Sequence, residues 1–179
     1  KKMLGAVPAD FEAETDKILK ECADQLGKGD SFHRVDVGVF FGKKGERVKD
    51  PFFNGKGPDR SGCTLCGGCM VGCRYDAKNT LDKNYLFLAE KLGVSILSEH
   101  EVNDINPLVD GGYQLSLKKS TGIRRPSRKL QCGKLILSGG VLGTVKLLLH
   151  CKNNNKLKKI SAKIGDFVRT NSEAIIGVK

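Results

Sequence analysis

Lys134-Leu-Ile-Leu137-Ser138-Gly139-Gly140-Val-Leu-Gly143-Thr144, continued by the apolar run 145–150, is the stretch that decides the fold. A short apolar run that stops at a glycine cluster reads as a strand, and the apolar residues beyond it read as a helix. Strand, glycine turn and helix together make a geometry that cradles phosphate. Glycines let the backbone approach a pyrophosphate, and the first helical turn offers free N–H groups and the positive end of the helix dipole. The match to G-x-G-x-x-G is imperfect, because Ser138 stands at the first glycine and no acidic residue follows at a ribose-binding distance. A tight turn that packs a helix closely on a strand would use the same residues, and both readings stay open.

Working outward from this unit, residues 94–97, 101–105, 113–117 and 129–137 read as successive strands, with Asp110-Gly-Gly112 as a hairpin turn between the second and third. This predicts a small antiparallel meander feeding a buried strand. Leu81, Tyr85, Leu88 and Leu92 mark one face of a helix capped by Asn79 or Thr80 and ended by Gly93. Phe11, Ile18, Leu19, Cys22 and Leu26 recur at helical spacing over 9–26, with Gly27 as the stop. Residues 35–41 alternate as a strand does, 42–62 form a long glycine- and charge-rich stretch that lies across other structure, and 174–178 read as a further strand. The expected class is mixed α/β (α+β).

A chain of 179 residues buries one good core and a second small lobe. With 39% hydrophobic and 28% charged residues it has an ordinary globular composition. No apolar run approaches the roughly 20 residues that cross a bilayer, and neither a membrane span nor a secretory signal is expected. The net charge of +11 raises nucleic acid as a partner. Much of the excess, however, sits in 118–129 and 152–159, which read as solvated loops without stacking aromatics, so no nucleic-acid partner is expected.

Cys63-Thr-Leu-Cys66-Gly-Gly-Cys69-Met-Val-Gly-Cys73 repeats the C-x2-C-x2-C-x3-C spacing that grips iron–sulfur clusters in bacterial ferredoxins, with Arg74 where proline would follow. Three readings remain open: a cluster on four inward thiolates, zinc on the same thiolates, or small residues packing a tight loop, with a disulfide as a minor case of the last. Of the seven cysteines the other three, Cys22, Cys132 and Cys151, lie in apolar patterns and read as buried free thiols in a reduced, cytoplasmic setting. His33, His100 and His150 have no carboxylate or nucleophile spaced to support catalysis, and each is assigned a structural role.

Taken in order, Val37-Gly-Val-Phe-Phe-Gly42, Asp50-Pro-Phe-Phe53, the cysteine run with Gly62 and Arg74, Ala77-Lys-Asn-Thr-Leu-Asp-Lys-Asn-Tyr-Leu86, Glu101-Val102, Leu137-Ser-Gly-Gly-Val-Leu-Gly-Thr144 and Val168-Arg-Thr-Asn-Ser-Glu173 resemble the glucose–methanol–choline (GMC) oxidoreductases, among them the bacterial cholesterol-oxidase-like branch. The resemblance covers nearly the whole chain. It implies an enzyme that binds FAD and removes a hydride from the carbon of an alcohol, a sterol being the first guess. It further implies that the Val102 backbone passes the adenine, that Gly139, Gly140 and Gly143 lie close to the dinucleotide, and that Asn171 approaches the flavin. Members of the family carry a first βαβ unit before the point that corresponds to Lys1, and their catalytic histidine beyond the point that corresponds to Lys179. The chain is therefore expected to be an internal piece, inactive alone, whose partners are the remaining parts of the same enzyme. Its expected organisation is an N-terminal helix, strand and loop over 1–62, a partial FAD-binding domain over 63–150, and the start of a return to the substrate domain over 151–179.

Overall fold

The computed structural model describes residues 2–171, so the strand expected at 174–178 lies outside the described residues. The chain divides into two compact units between Ile96 and Leu97. The class is mixed α/β, with three α-helices and small antiparallel sheets among the described residues.

The first unit is built on short pairings. Strand β1 (Val7–Pro8) pairs antiparallel with β2 (Asp36–Val37), and helix α1 (Glu14–Gln25) lies between them in sequence. Asp16 opens that helix by accepting the Ala13 N–H at 2.8 Å, which satisfies one of the orphan donors of the first turn. The apolar residues of α1 sit where the 3.6 period puts them, yet Ile18 is 53% exposed and Leu19 61%, because the main neighbour of the helix is only the short 3-10 turn Gly29–Ser31. Cys22, expected to be buried, is exposed on the same helix for the same reason.

The strand expected over 35–41 pairs in a sheet only at β2. Beyond it the chain stays hydrogen-bonded, with Phe40 N–H to the Ala77 carbonyl (2.8 Å), Asn79 N–H to the Gly38 carbonyl (2.7 Å) and Cys63 N–H to the Phe40 carbonyl (2.9 Å). Inside the long stretch 42–62, β3 (Arg47–Val48) pairs with β4 (Arg60–Ser61). The turn between them is ordered by Asp50, whose carboxylate accepts N–H groups from Phe52, Phe53 and Gly57 at 2.9–3.0 Å.

At the centre of this unit is a side chain that reads as surface in the sequence. Arg60 is 1% exposed. Its Nε donates to the Asp76 carbonyl at 2.7 Å, and its Nη2 donates to the Ala77 and Lys78 carbonyls at 2.9 and 2.8 Å. Its Nη1 bonds the Asn79 side-chain oxygen, and the guanidinium lies 5.5 Å from the centre of the Phe52 ring. Asn79 then donates through Nδ2 to the Gly5 carbonyl at 3.3 Å. Gly5 has φ +53, and a Cβ there would come within 2.4 Å of Asn79 and 2.6 Å of Phe52, so only glycine passes.

The helix expected to start at Asn79 or Thr80 is interrupted. A 3-10 turn, Leu81–Lys83, precedes α2 (Tyr85–Lys91), and the cap is Asn84. That residue is 1% exposed; its amide nitrogen donates to the Asn79 and Thr80 carbonyls, and its oxygen accepts the Tyr85 N–H at 2.5 Å. The buried asparagine satisfies itself locally and forces the break, which leaves Leu81 and Tyr85 of the expected apolar face about half exposed.

The second unit is the meander. Strands β5 (His100–Pro107), β6 (Tyr113–Lys119) and β7 (Ser127–Cys132) form an antiparallel sheet in that order, joined first by the glycine turn at Asp110-Gly-Gly112. Helix α3 (Gly140–Asn153) packs on β5. Ile105, Leu117 and Cys151 are the buried residues here. Residues 94–97 and 134–137, both expected as strands, have no sheet partner among the described residues.

Arg60→Met is expected to lower stability by about 3 kcal/mol, because it strands buried carbonyls, while Arg60→Lys restores only part, since an ammonium cannot present the planar fork. The urea midpoint of each variant checks this. For Asp50, burial alone would raise the pKa, but the N–H groups of Gly57, Phe52 and Phe53 outweigh it and hold the carboxyl below its usual value. Its contribution is therefore full above the unfolded pKa of about 4 and is lost as the pH falls through the folded value. Asp50→Asn should flatten that acid limb in a plot of unfolding free energy against pH.

Candidate functional site

Two places in the chain have the makings of a site, one in each unit.

In the second unit, the register between β5 and β6 shifts between Val102 and Asp104, so Asn103 is a bulge. Val102 pairs with Leu117 and Ile105 with Leu115. Residues opposite one another share a face, so the bulge brings Val102 and Ile105 to the same side of the sheet, which simple alternation would deny them. Ile105 goes into the core, and half-buried Val102 lines a cavity of about 230 Å³ with Glu101, Asn103, Lys146, Leu147 and His150. The last three come from α3, at spacings that put them on one helical face. On the same strand Asp104 is fixed by an ion pair with Lys156 and accepts the Cys151 thiol at 3.7 Å. Burial works to raise the Asp104 pKa, but Lys156 and Asn106 outweigh it and hold it low. Cys151 is fully buried, and burial pushes its thiol up.

Helix α3 begins as expected from the glycine turn, with Gly139 as its N-cap and Gly140 at φ +71. A Cβ on Gly140 or Gly143 would meet nothing within 4 Å, so that side of the turn is open, whereas a Cβ on Gly139 would lie 3.4 Å from the Thr144 hydroxyl. Asn171 is exposed, and its carbonyl accepts the Thr170 hydroxyl at 3.3 Å. Val102 and α3 therefore meet at one cavity, and Gly140 and Gly143 lie in the first turn of the same helix, with Gly139 as its cap.

In the first unit, Cys63, Cys66, Cys69 and Cys73 all border one cavity of about 410 Å³. The remaining wall is apolar, from Phe11, Val37, Val39, Phe41 and Tyr75 among others. Cys66 and Cys69 are exposed, and Cys63 and Cys73 half-buried. No three His, Cys, Asp or Glu side chains among the described residues gather closely enough to hold one metal ion. Cys73 sits in a nest of backbone donors, with Ala77 N–H 3.4 Å from its sulfur. Burial would raise its pKa, yet the N–H groups of Lys78, Tyr75 and Ala77 prevail and lower it. Arg60 braces that nest, because it grips the carbonyls of residues 76 and 77, and the N–H groups of the same two peptide units, on Ala77 and Lys78, turn toward the sulfur.

Sequence reasoning missed Arg60 and Lys146. Lys146 had a signal, since Lys146, Leu147 and His150 share a helical stripe; Arg60 had none, lying in a stretch rich in charge and glycine. The histidines hold local positions: His33 Nδ1 is 3.1 Å from the Ser31 carbonyl, His100 Nδ1 is 2.7 Å from that of Ser98, and His150 packs against Asn154.

No family model matches the chain. Curated relatives do, and they are oxidoreductases by name. A cholesterol oxidase of Acinetobacter baumannii is 40% identical over 188 residues, covering 99% of this chain and 34% of the relative. Cholesterol oxidases of two Mycobacterium tuberculosis strains, CDC 1551 and H37Rv, are each 40% identical over 182 residues, covering 98% of this chain and 32% of the relative. The chain is thus cholesterol oxidase-like over nearly its whole length, and it spans about a third of the length of the relatives it matches.

Limited maleimide labelling at pH 6.5 is expected to modify Cys73 several-fold faster than the similarly half-buried Cys63, while Cys151 stays unlabelled until the chain is unfolded. Peptide mass spectrometry reads all three rates, and equal rates at Cys73 and Cys63 would show that the N–H nest has no chemical effect.

Proposed function

We propose that the chain is part of a GMC-type, FAD-dependent oxidoreductase that oxidises an alcohol, a sterol first among the substrate classes. The observation that carries this reading is the meeting of Val102 and α3 at one cavity, beside a glycine turn whose outer side is open. The kinship with cholesterol oxidases supports it from an independent direction.

The residues present fit a dinucleotide in kind. Glycines 140 and 143 leave room for a pyrophosphate to approach the backbone, and the helix start supplies N–H donors. Lys146 adds a positive charge one turn further along. Half-buried Val102, aimed by the bulge, offers an apolar surface and extended backbone to a flat ring, and Asn171 is the residue of this chain assigned to the flavin side. Bound flavin would accept the hydride; the work of this chain is to hold and orient the cofactor's adenosine half. The remaining parts of the enzyme are then the necessary partners, and catalytic groups belong to them.

ADP, the half of the cofactor this chain would meet, is the probe of choice. Nuclear magnetic resonance titration is expected to shift the amides of Val102, Gly140, Gly143 and Lys146, and Lys146→Glu should weaken binding by about tenfold at low salt. Shifts scattered over the lysine-rich loops, or none, would remove the reading. FAD itself should bind this chain only weakly, and tight stoichiometric flavin would contradict the assignment of the main pyrophosphate grip to another segment.

A second reading, an electron-transfer module with an iron–sulfur cluster on Cys63, Cys66, Cys69 and Cys73, is favoured by their sharing one cavity. Their thiols do not converge as a ligand set, so no step is derived through a cluster. Iron and zinc analysis of protein purified without air separates the two: stoichiometric iron with broad visible absorption would establish the cluster.

A further inference from the structure

The cavity between β5 and α3 is only as well defined as the placement of the helix against the strand. Glu101, Val102 and Asn103 form one wall, and Lys146, Leu147 and His150 form the other. Burial of Ile105, Leu117 and Cys151 favours contact between the elements, but apolar contact has no direction and does not fix where along the strand the helix rests. Hydrogen bonds do have direction. Among the described residues, the side-chain hydrogen bonds that join β5 to α3 and the turn after it both end on one carboxylate, that of Asp104.

Both partners of that carboxylate are held by the way α3 ends. Asn155 is left-handed at φ +54; its N–H donates to the Lys152 carbonyl at 3.0 Å, and the Lys156 N–H donates to the Cys151 carbonyl at 2.9 Å. This pair of bonds is a Schellman cap, and it folds Lys156 back beside Cys151. Asp104 accepts the Cys151 thiol at 3.7 Å and pairs with the Lys156 ammonium, and within its own strand it accepts the Ile105 N–H at 3.1 Å and the Asn106 amide at 3.3 Å. A lone carboxylate at the C-terminal end of a helix would be repelled by the helix dipole, so the ammonium of Lys156 is what makes the contact favourable. Asp104 is also the first residue after the bulge at Asn103, where the register of the strand is set, and it does not itself line the cavity. We propose that Asp104 is a positioning residue for the adenosine side of the cofactor: by clamping the cap of α3 through Cys151 and Lys156 it fixes Val102 against Lys146, Leu147 and His150, and so sets affinity without touching the ligand. The proposal rests on the reading that this cavity receives the adenosine half.

Two measurements on three variants test it: ADP affinity, and the tilt of α3 against the sheet read from residual dipolar couplings of the ligand-free chain. Asp104→Ala removes the clamp and is expected to weaken ADP by about tenfold, as when only about a tenth of the molecules keep the cavity formed. Electrostatics alone predicts the opposite sign, because loss of a negative charge two residues from Val102 favours an anionic ligand. Asp104→Asn keeps the shape and an acceptor oxygen, and should bind ADP within about threefold of wild type. Leu130→Ala, at a half-buried position on β7 outside the cavity, lowers the stability of the same unit and should leave ADP affinity unchanged. Of the three variants, Asp104→Ala alone should change the tilt of α3. Unchanged or tighter ADP binding by Asp104→Ala would overturn the proposal, as would equal weakening by Leu130→Ala or a wild-type helix tilt in Asp104→Ala. Should Asp104→Ala fail to fold, Lys156→Met opens the clamp from its more exposed end, and the helix tilt of that variant decides. If the wild-type chain binds no ADP, the flavin reading falls, while the tilt still decides whether Asp104 positions α3.

Discussion

The first unit depends on one buried guanidinium. Its strands are two residues long, too short to hold a fold by ladder bonds. Arg60 replaces the missing ladder with four side-chain bonds to residues 76–79. Through Asn79 the grip reaches Gly5 and Gly38, and through Phe52 it reaches the Asp50 turn. Burial pushes the Arg60 pKa down and nearby Asp76 opposes that, but a guanidinium starts so far above neutrality that it stays charged. A neutral residue of equal volume could fill the space, but only a planar fork of N–H donors can bind several carbonyls that point at it from one turn of chain.

This grip also explains why chemistry gathers at the cysteine loop. A peptide unit whose carbonyl is held by Arg60 has its N–H aimed the opposite way. The peptide units 76–77 and 77–78 therefore present their carbonyls to the arginine on one side and the N–H groups of Ala77 and Lys78 to Cys73 on the other. A cation and a potential thiolate are thus coupled across a strip of backbone without touching each other. Nearby, Lys83 pairs with Asp76 at 2.7 Å, which keeps the carboxylate next to the strip from competing for its donors.

Local patterns were the legible part of the sequence. The β5–β6 hairpin followed from Asp110-Gly-Gly112 between alternating runs, and α3 from a glycine turn opening an apolar run; both are decided within about ten residues. Features set by distant partners were not legible. Arg60 and its acceptors are 16 to 19 residues apart, and nothing in the stretch around it separates a buried arginine from a solvated one. Residues 134–137 have strand composition, but a strand exists only against a neighbour, and none of the described strands lies beside them. Cys22 was placed by periodicity, which says which face of α1 it occupies but not whether anything covers that face. At the candidate sites, the cysteine run was obvious as a cluster in sequence, while most of the apolar residues facing it come from before residue 42.

The bulge at Asn103 makes this sheet sensitive to counting rather than to chemistry. In an unbroken strand, odd separations put residues on opposite sides, and Val102 and Ile105 are three apart. One supernumerary residue converts their odd separation into a shared side, so the identity of Asn103 matters less than its existence. Many side chains could stand there without harm, but loss of the position would invert everything N-terminal to it, turning Val102 away from α3 while leaving Ile105 in the core. Along this strand, sequence drift is therefore permissible where a change of length is not.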